Sequence, residues 1–131
     1  MVIFSKFMKI KKRPELSSIV HSGTLKFERF QNESIRPIIK MQHDILIIMF
    51  QNYLIKKKLD FTALEEVKQK EHINSIVTKD IVFKNLIIGV VIGQFSKIEL
   101  NFFFKNSVEL KKRIIQIIKY RLYDNFILIQ N

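Results

Sequence analysis

The chain has 131 residues, no cysteine and a formal net charge of +11 at pH 7. This length predicts one domain with one core, and the lack of cysteine excludes disulfide frameworks, thiol nucleophiles and cysteine-based zinc sites. The positive charge favours acidic partners such as nucleic acid or a ribonucleoprotein. Because lysine, isoleucine, asparagine and phenylalanine are all abundant, the same charge also arises from composition alone, without a selected partner.

The first 31 residues predict an irregular, basic N-terminal arm (1–31), followed by one helical domain (32–131). Residues 25–30 are expected to form a short extended piece laid over the helices. The beginning of the chain lacks the continuous apolar core and cleavage site of a secretory signal, so we expect a cytoplasmic protein. The basic cluster of the arm contains Lys9, Lys11, Lys12 and Arg13.

The first long helix is predicted to begin near Ser34 and to end near Lys58, with Pro37 tolerated in its first turn. Its apolar arc is so broad that we expect the helix to be covered on more than one side, by its own chain or by a second subunit. The arc contains Ile38, Met41, Ile45, Leu46, Ile48, Met49, Tyr53 and Ile55. A capping box at Thr62–Glu65 then predicts the next helix.

The run from Asp80 to Asp124 predicts three further helices. Asp80 is expected to cap the first, and the capping-box sequences Ser96–Glu99 and Asn106–Glu109 are expected to open the other two. Apolar and polar residues alternate in 97–105, which is typical of a strand and leaves a hairpin as the alternative. The paired capping boxes and the lack of an Asn-Gly or Asp-Gly turn favour helices. The predicted fold is all-α, a compact bundle of about five helices.

Gly89 and Gly93 lie four residues apart, and on a helix this spacing puts both on one face. Such pairs let a second helix approach closely, so we predict a tight helix–helix contact at these two glycines. The apolar run around them is too short for a bilayer span, which needs roughly 20 residues. We therefore expect no membrane span.

No recognisable catalytic constellation is present in the sequence. The chain has three histidines, which are His21, His43 and His72. Their spacing differs from the i, i+4 pair of a helical metal site, and we predict neither a metal nor a cofactor. Arg36, Lys40 and Asp44 are the candidates for a polar site, although an ion pair between Lys40 and Asp44 also explains this group.

Basic residues on the last predicted helix and in the arm are the candidates for phosphate contacts. These candidates are Lys11, Lys12, Arg13, Lys111, Lys112, Arg113, Lys119 and Arg121. The sequence lacks an RNP-like motif, a glycine-rich phosphate loop and a Walker pattern. We therefore expect contacts to the phosphate backbone rather than recognition of particular bases.

Four segments of the chain follow a recurring pattern. Ile35–Asp44 is similar to xLRPxxKxQxD, Lys79–Asn85 to KDIxFxN, Gly89–Ser96 to GxVIGxFT, and Lys105–Arg113 to KNSxxLxKR. With these segments the chain resembles a family of short, uncharacterised bacterial proteins that are often labelled "glyoxalase" without a demonstrated activity. The resemblance covers about residues 35–122 and implies an all-helical fold. True glyoxalases of the lactoylglutathione type instead use paired βαβββ modules and a metal held by His and Glu.

The sequence favours a non-enzymatic binding module for an acidic partner, which is nucleic acid or a ribonucleoprotein. The alternative is a homo-oligomeric structural or adaptor protein that uses the broad apolar helix faces. A glyoxalase-type enzyme is the second alternative, and the predicted helical fold disfavours it.

Overall fold

The computed structural model describes residues 23–127, so Lys11, Lys12, Arg13 and His21 lie outside the described residues. All regular elements of residues 23–127 are helical, which confirms the all-α prediction. The elements are α1 (Gly23–Phe30), a π-helical segment (Gln31–Ile35), α2 (Arg36–Met41), α3 (His43–Lys56), a 3-10 turn (Phe61–Ala63), α4 (Glu66–Lys79), α5 (Ile81–Ile92), α6 (Lys97–Lys105) and α7 (Ser107–Phe126).

The N-terminal boundary of the helical region is earlier than predicted. The chain is helical from Gly23, so the prediction of irregular structure is wrong for residues 23–31, and residues 25–30 are helical rather than extended. Phe27 and Phe30 explain this difference, because their i, i+3 spacing puts both rings on one side of a helix, against the core. Phe30 keeps helical dihedral angles (φ −60°, ψ −42°) at the junction with the π-helical segment, so no new helix begins at Ser34.

The helix predicted from Ser34 to Lys58 is divided in the structure. Gln42 has φ −95° and ψ 15°, which separates α2 from α3. This break and the additional N-terminal helix give the described residues more helices than the five or so predicted.

The long helix α7 is the centre of the packing. It contacts α4, α5, α6 and the π-helical segment. Its buried side chains recur at helical spacing, and they are Leu110, Ile114, Ile115, Ile118 and Leu122. Within residues 23–127, none of the helices is both long enough and apolar enough to cross a membrane.

Two groups of aromatic rings contribute to the core. In the first group, the ring of Phe30 lies 5.4 Å from Phe95 and 4.8 Å from Phe102. In the second, the ring of Phe50 lies 4.8 Å from Phe126 and 6.3 Å from Phe83. Rings at such distances add to the stability that burial alone provides.

Two of the four predicted helix caps are formed. Ser96 Oγ accepts from the backbone N–H of Glu99 at 3.2 Å, and Glu99 Oε1 accepts from the N–H of Ser96 at 2.8 Å, which confirms the capping box of α6. Asp80 Oδ1 accepts from the N–H of Phe83 at 3.1 Å and caps α5.

The other two predicted capping boxes are wrong, because their side chains bind elsewhere. Asn106 Nδ2 donates to the carbonyl of Phe102, and Glu109 pairs with Arg113. Thr62 Oγ1 donates to Asp60 Oδ1, and α4 begins only after Glu65, without a side-chain cap.

The tight helix contact predicted at Gly89 and Gly93 is not present among the described residues. Both glycines are exposed, and a Cβ added at Gly89 would meet nothing within 4 Å. The buried face of α5 carries Phe83, Ile87, Ile88 and Val91. The glycine spacing correctly puts both residues on one face, but this face points away from the core.

Candidate anion-binding groove

An open groove follows one side of α7 where this helix faces the π-helical segment and α2. Its larger part has a volume of about 650 Å³ and includes Arg36, Lys112, Arg113 and Arg121 in its lining. A neighbouring depression of about 400 Å³ shares Arg36 and Arg121 and adds Lys40. We call the two parts together the α2–α7 groove.

The helical period of α7 explains why these side chains share one surface. Arg113, Ile117, Tyr120 and Asp124 follow one another at spacings of four, three and four residues, and all four line the groove. Residues at this spacing lie along one stripe of a helix. On the other wall, Arg36 and Lys40 are separated by one turn of α2 and both line the smaller depression.

The charge of the groove is strongly positive. Five cationic side chains line it, and they are Arg36, Lys40, Lys112, Arg113 and Arg121. Only two carboxylates, Glu109 and Asp124, lie in the same lining. A concave surface lined mainly by one sign of charge concentrates the potential and attracts ions of the opposite sign.

Arg113 is the most firmly held of these cations. Its Nε lies 3.3 Å from Glu109 Oε2, and its Nη1 donates to Gln31 Oε1 at 3.1 Å. Its guanidinium carbon also lies 5.7 Å from the centre of the Phe27 ring. These contacts fix the guanidinium at one end of the groove, and Glu109 balances part of its charge.

Arg121 is held from the α3 side. Its Nη1 lies 3.0 Å from His43 Nδ1. A guanidinium has only donors, so Nδ1 is the acceptor in this contact. Arg121 retains further N–H donors that can bind an anion in the groove.

The predicted polar site is only partly brought together. Arg36 and Lys40 line the groove, whereas Asp44 does not. The predicted ion pair between Lys40 and Asp44 is absent from the ion pairs formed within residues 23–127. The break at Gln42 explains this, because i, i+4 residues approach each other only on a continuous helix.

The basic residues predicted on the last helix fall on different surfaces. Lys112, Arg113 and Arg121 line the α2–α7 groove. Lys111 lines a separate depression, which also includes Lys112. Lys119 faces α4, with its Nζ 3.5 Å from Asn74 Oδ1.

Several polar residues of the groove were not predicted from the sequence. They are Gln31, Asn32, Gln116, Tyr120 and Asn125. Gln31 and Asn32 lie at or beside the end of the segment that was expected to be irregular. Gln116 and Tyr120 are four residues apart and lie next to the basic residues of α7. This spacing is the sequence signal that could have indicated these two residues.

Within the described part of the chain, no three His, Cys, Asp or Glu side chains are grouped so that they could hold a metal ion. The chain matches no protein-family model, no curated protein and no solved structure. The chemistry of the groove and of the exposed helix faces is therefore the basis for a proposed function.

Proposed function

We propose that the protein is a cytoplasmic, non-enzymatic binding module that holds the phosphate backbone of a single-stranded nucleic acid in the α2–α7 groove. The observation that supports this proposal is the presence of five cationic side chains, from two distant parts of the sequence, in one open groove. Arginine suits this role because its planar guanidinium can donate two hydrogen bonds to one phosphate, and lysine adds point charges.

The length of the groove favours a polyanion over a small anion. Arg113 and Arg121 are eight residues apart on α7, which corresponds to a distance of roughly 12 Å along the helix axis. One phosphate group can meet only a part of a surface of this length, so the groove favours a ligand that carries several phosphates in a row.

Tyr120 favours a single strand over a duplex. Its side chain lines the groove and is 53% exposed, so its ring is accessible to a ligand. Unpaired bases stack on such rings, and this contact adds to the backbone attraction without selecting a sequence. Because the cationic side chains contact phosphate groups rather than base edges, we expect little sequence preference.

The test is fluorescence anisotropy with labelled single-stranded RNA and duplex DNA at low and physiological salt. The groove variant combines Arg36→Gln, Lys112→Gln and Arg121→Gln. The control variant combines Lys79→Gln, Lys97→Gln and Lys105→Gln, which removes the same charge from exposed lysines outside the groove. Circular dichroism checks that both variants stay folded.

We expect the parent to bind RNA with an affinity that falls steeply with salt, by a log–log slope of roughly −0.7 per phosphate contacted. The groove variant should reduce the slope by about 2, since it removes three such contacts, and the control should keep the slope of the parent. An equal loss of affinity in both variants would show that the general positive charge of the chain, rather than the groove, attracts the RNA. An absence of binding at low salt would reject the proposal.

A homo-oligomeric structural or adaptor role is the second candidate function. Large apolar side chains that are exposed on α3 and α5 favour it, among them Ile48 and Ile55 on α3 and Val82 and Leu86 on α5. Exposed apolar groups of this size are typical of surfaces that meet another protein.

A further inference from the structure

The outward face of α3 carries apolar residues at heptad spacing. Ile45, Ile48, Asn52 and Ile55 follow one another at intervals of three, four and three residues. This is the a, d, a, d pattern of a coiled coil, with Asn52 at the second a position. We call these four residues the α3 seam.

The α3 seam plays no part in the core of the described chain. Ile45, Ile48 and Ile55 are 42, 62 and 74% exposed, and Asn52 is exposed as well. The opposite face of α3 contributes Leu46 and Phe50 to the core. A helix that is apolar on both faces is typically covered on both, and within residues 23–127 nothing covers the seam, so we expect a partner to do so.

Asn52 indicates what that partner is. The asparagine amide has both donors and an acceptor, so two copies of it can pair with each other. Isoleucine at both a and d positions favours three or four strands, but a single asparagine at an a position fixes the register and the number of strands, and we infer that Asn52 selects two. A second copy of the chain supplies the matching asparagine at the matching height.

The charges around the seam are compatible with a second copy. A chain with a net charge of +11 repels itself over most of its surface, yet the stretch from Ile45 to Ile55 contains no charged residue. In a parallel pair, the flanking g and e positions would put Asp44 beside Met49 of the second copy, and Gln51 beside Lys56 of the second copy. Neither contact brings like charges together.

We propose that two copies of the chain associate through the α3 seam as a short, parallel, two-stranded coiled coil, with Asn52 paired to Asn52 across the two-fold axis. The seam extends over only about two heptads. The area that it buries should therefore be smaller than the roughly 800 Å² per partner of a standard interface. The dimer is therefore a weak one that depends on concentration. It does not require the α2–α7 groove to bind nucleic acid.

Sedimentation velocity of the full chain over a range of concentrations tests the association. The seam variant combines Ile48→Gln with Ile55→Gln, and the matched control combines Val67→Gln on α4 with Val108→Gln on α7. Both pairs are exposed and neither changes the net charge, so both variants should fold. We expect the parent and the control to form dimers at high concentration and the seam variant to remain monomeric.

Disulfide cross-linking tests the pairing, because the parent chain has no cysteine. Asn52→Cys should form a covalent dimer on mild oxidation, whereas Lys57→Cys, at an outer position of the same heptads, should not. A parent that stays monomeric at every concentration overturns the proposal, as does a dimer that survives the seam variant. Failure of Asn52→Cys to cross-link more readily than Lys57→Cys overturns the asparagine pairing.

Discussion

Tyr53 and Asp80 join α3 to the first turn of α5 by a hydrogen bond of 2.8 Å from the tyrosine hydroxyl to Asp80 Oδ2. The other oxygen of the same carboxylate, Oδ1, caps α5 by accepting from the backbone N–H of Phe83. The ring of Tyr53 also packs against the ring of Phe83, with centres 5.1 Å apart. One aspartate therefore both starts a helix and fastens it to its neighbour, and its ionisation should affect the stability of the fold.

Acidification should remove the contribution of the Asp80 carboxylate to the stability of the fold. The backbone N–H of Phe83 holds the pKa of Asp80 below its ordinary value of 3.8, and the Tyr53 hydroxyl acts in the same direction. A lowered pKa in the folded state adds stability above pH 3.8, and this stability is lost as the pH falls through the folded-state pKa. Asp80→Asn should be less stable than the parent at pH 7, and the difference should shrink below pH 3.8.

Urea unfolding at several pH values measures this difference. Asp124→Asn is the control, since this exposed aspartate caps no helix. A gap between Asp80→Asn and the parent that stays constant at all pH values would contradict the role of the charge.

The hydrogen bond between Tyr53 and Asp80 should also affect the titration of Tyr53 at high pH. Burial, followed by the hydrogen bond to Asp80, raises the pKa of Tyr53 from 10.0 to about 12. A raised pKa adds stability that is complete below pH 10 and is lost as the pH rises through about 12. Spectrophotometric titration of tyrosinate should show a component near pH 12 that disappears in Tyr53→Phe.

Asp80→Asn provides the internal check of the tyrosine titration. It removes the acceptor charge but leaves Tyr53 partly buried, so the midpoint of the Tyr53 titration should fall without reaching the ordinary value. If the titration of Tyr53→Phe overlaid that of the parent near pH 12, the component would belong to another tyrosine.

A buried contact joins two residues that are far apart in the sequence. Ser34 Oγ donates to Glu99 Oε2 at 2.5 Å, and both side chains are fully buried. Ser34→Ala removes a hydrogen bond to a buried carboxyl group, which should destabilise the fold by roughly 1–3 kcal/mol. Ser75→Ala, at an exposed position of α4, should change the stability by less than about 0.5 kcal/mol. Urea unfolding compares the two, and equal midpoints would show that Ser34 contributes nothing specific.

Two of the hydrogen bonds of Glu99 show which features could be predicted from the sequence. Its bond to the N–H of Ser96 depends on a spacing of three residues, and the sequence predicted it. Its bond to Ser34 joins residues 65 positions apart, and no local pattern indicates it. Asn106 has the same spacing to Glu109, but Arg113 lies one turn further on and takes the carboxylate.

Several basic residues of the α2–α7 groove could be predicted from the sequence, but their convergence in one groove could not. Arg36, Lys40 and the basic residues of α7 were each candidates on the basis of charge and spacing. Their convergence depends on how the π-helical segment packs against α7, which is a tertiary contact. Gln31 was missed because the burial of Phe27 and Phe30 extends the helix into a segment that has no regular apolar period.

A substitution at Gly89 tests two alternatives. The sequence predicted a close helix contact at this glycine, whereas the structure leaves it exposed. At a close helix crossing, an added methyl group would clash and destabilise the fold. In the structure, a Cβ at Gly89 meets nothing within 4 Å, and this residue lies in the interior of an exposed helix face. Alanine at such a position reduces the freedom of the unfolded chain and has a higher helix propensity, so Gly89→Ala should stabilise the protein by roughly 0.5–1 kcal/mol.

Gly93→Ala is the comparison, because it lies just past the end of α5. Its Cβ would lie 3.2 Å from the carbonyl oxygen of Gly89, so its gain should be smaller than that of Gly89→Ala. Thermal and urea unfolding, at concentrations low enough to keep the chain monomeric, measure both variants. A clear loss of stability in Gly89→Ala would mean that another part of the chain packs closely on this face, as the glycine spacing first indicated.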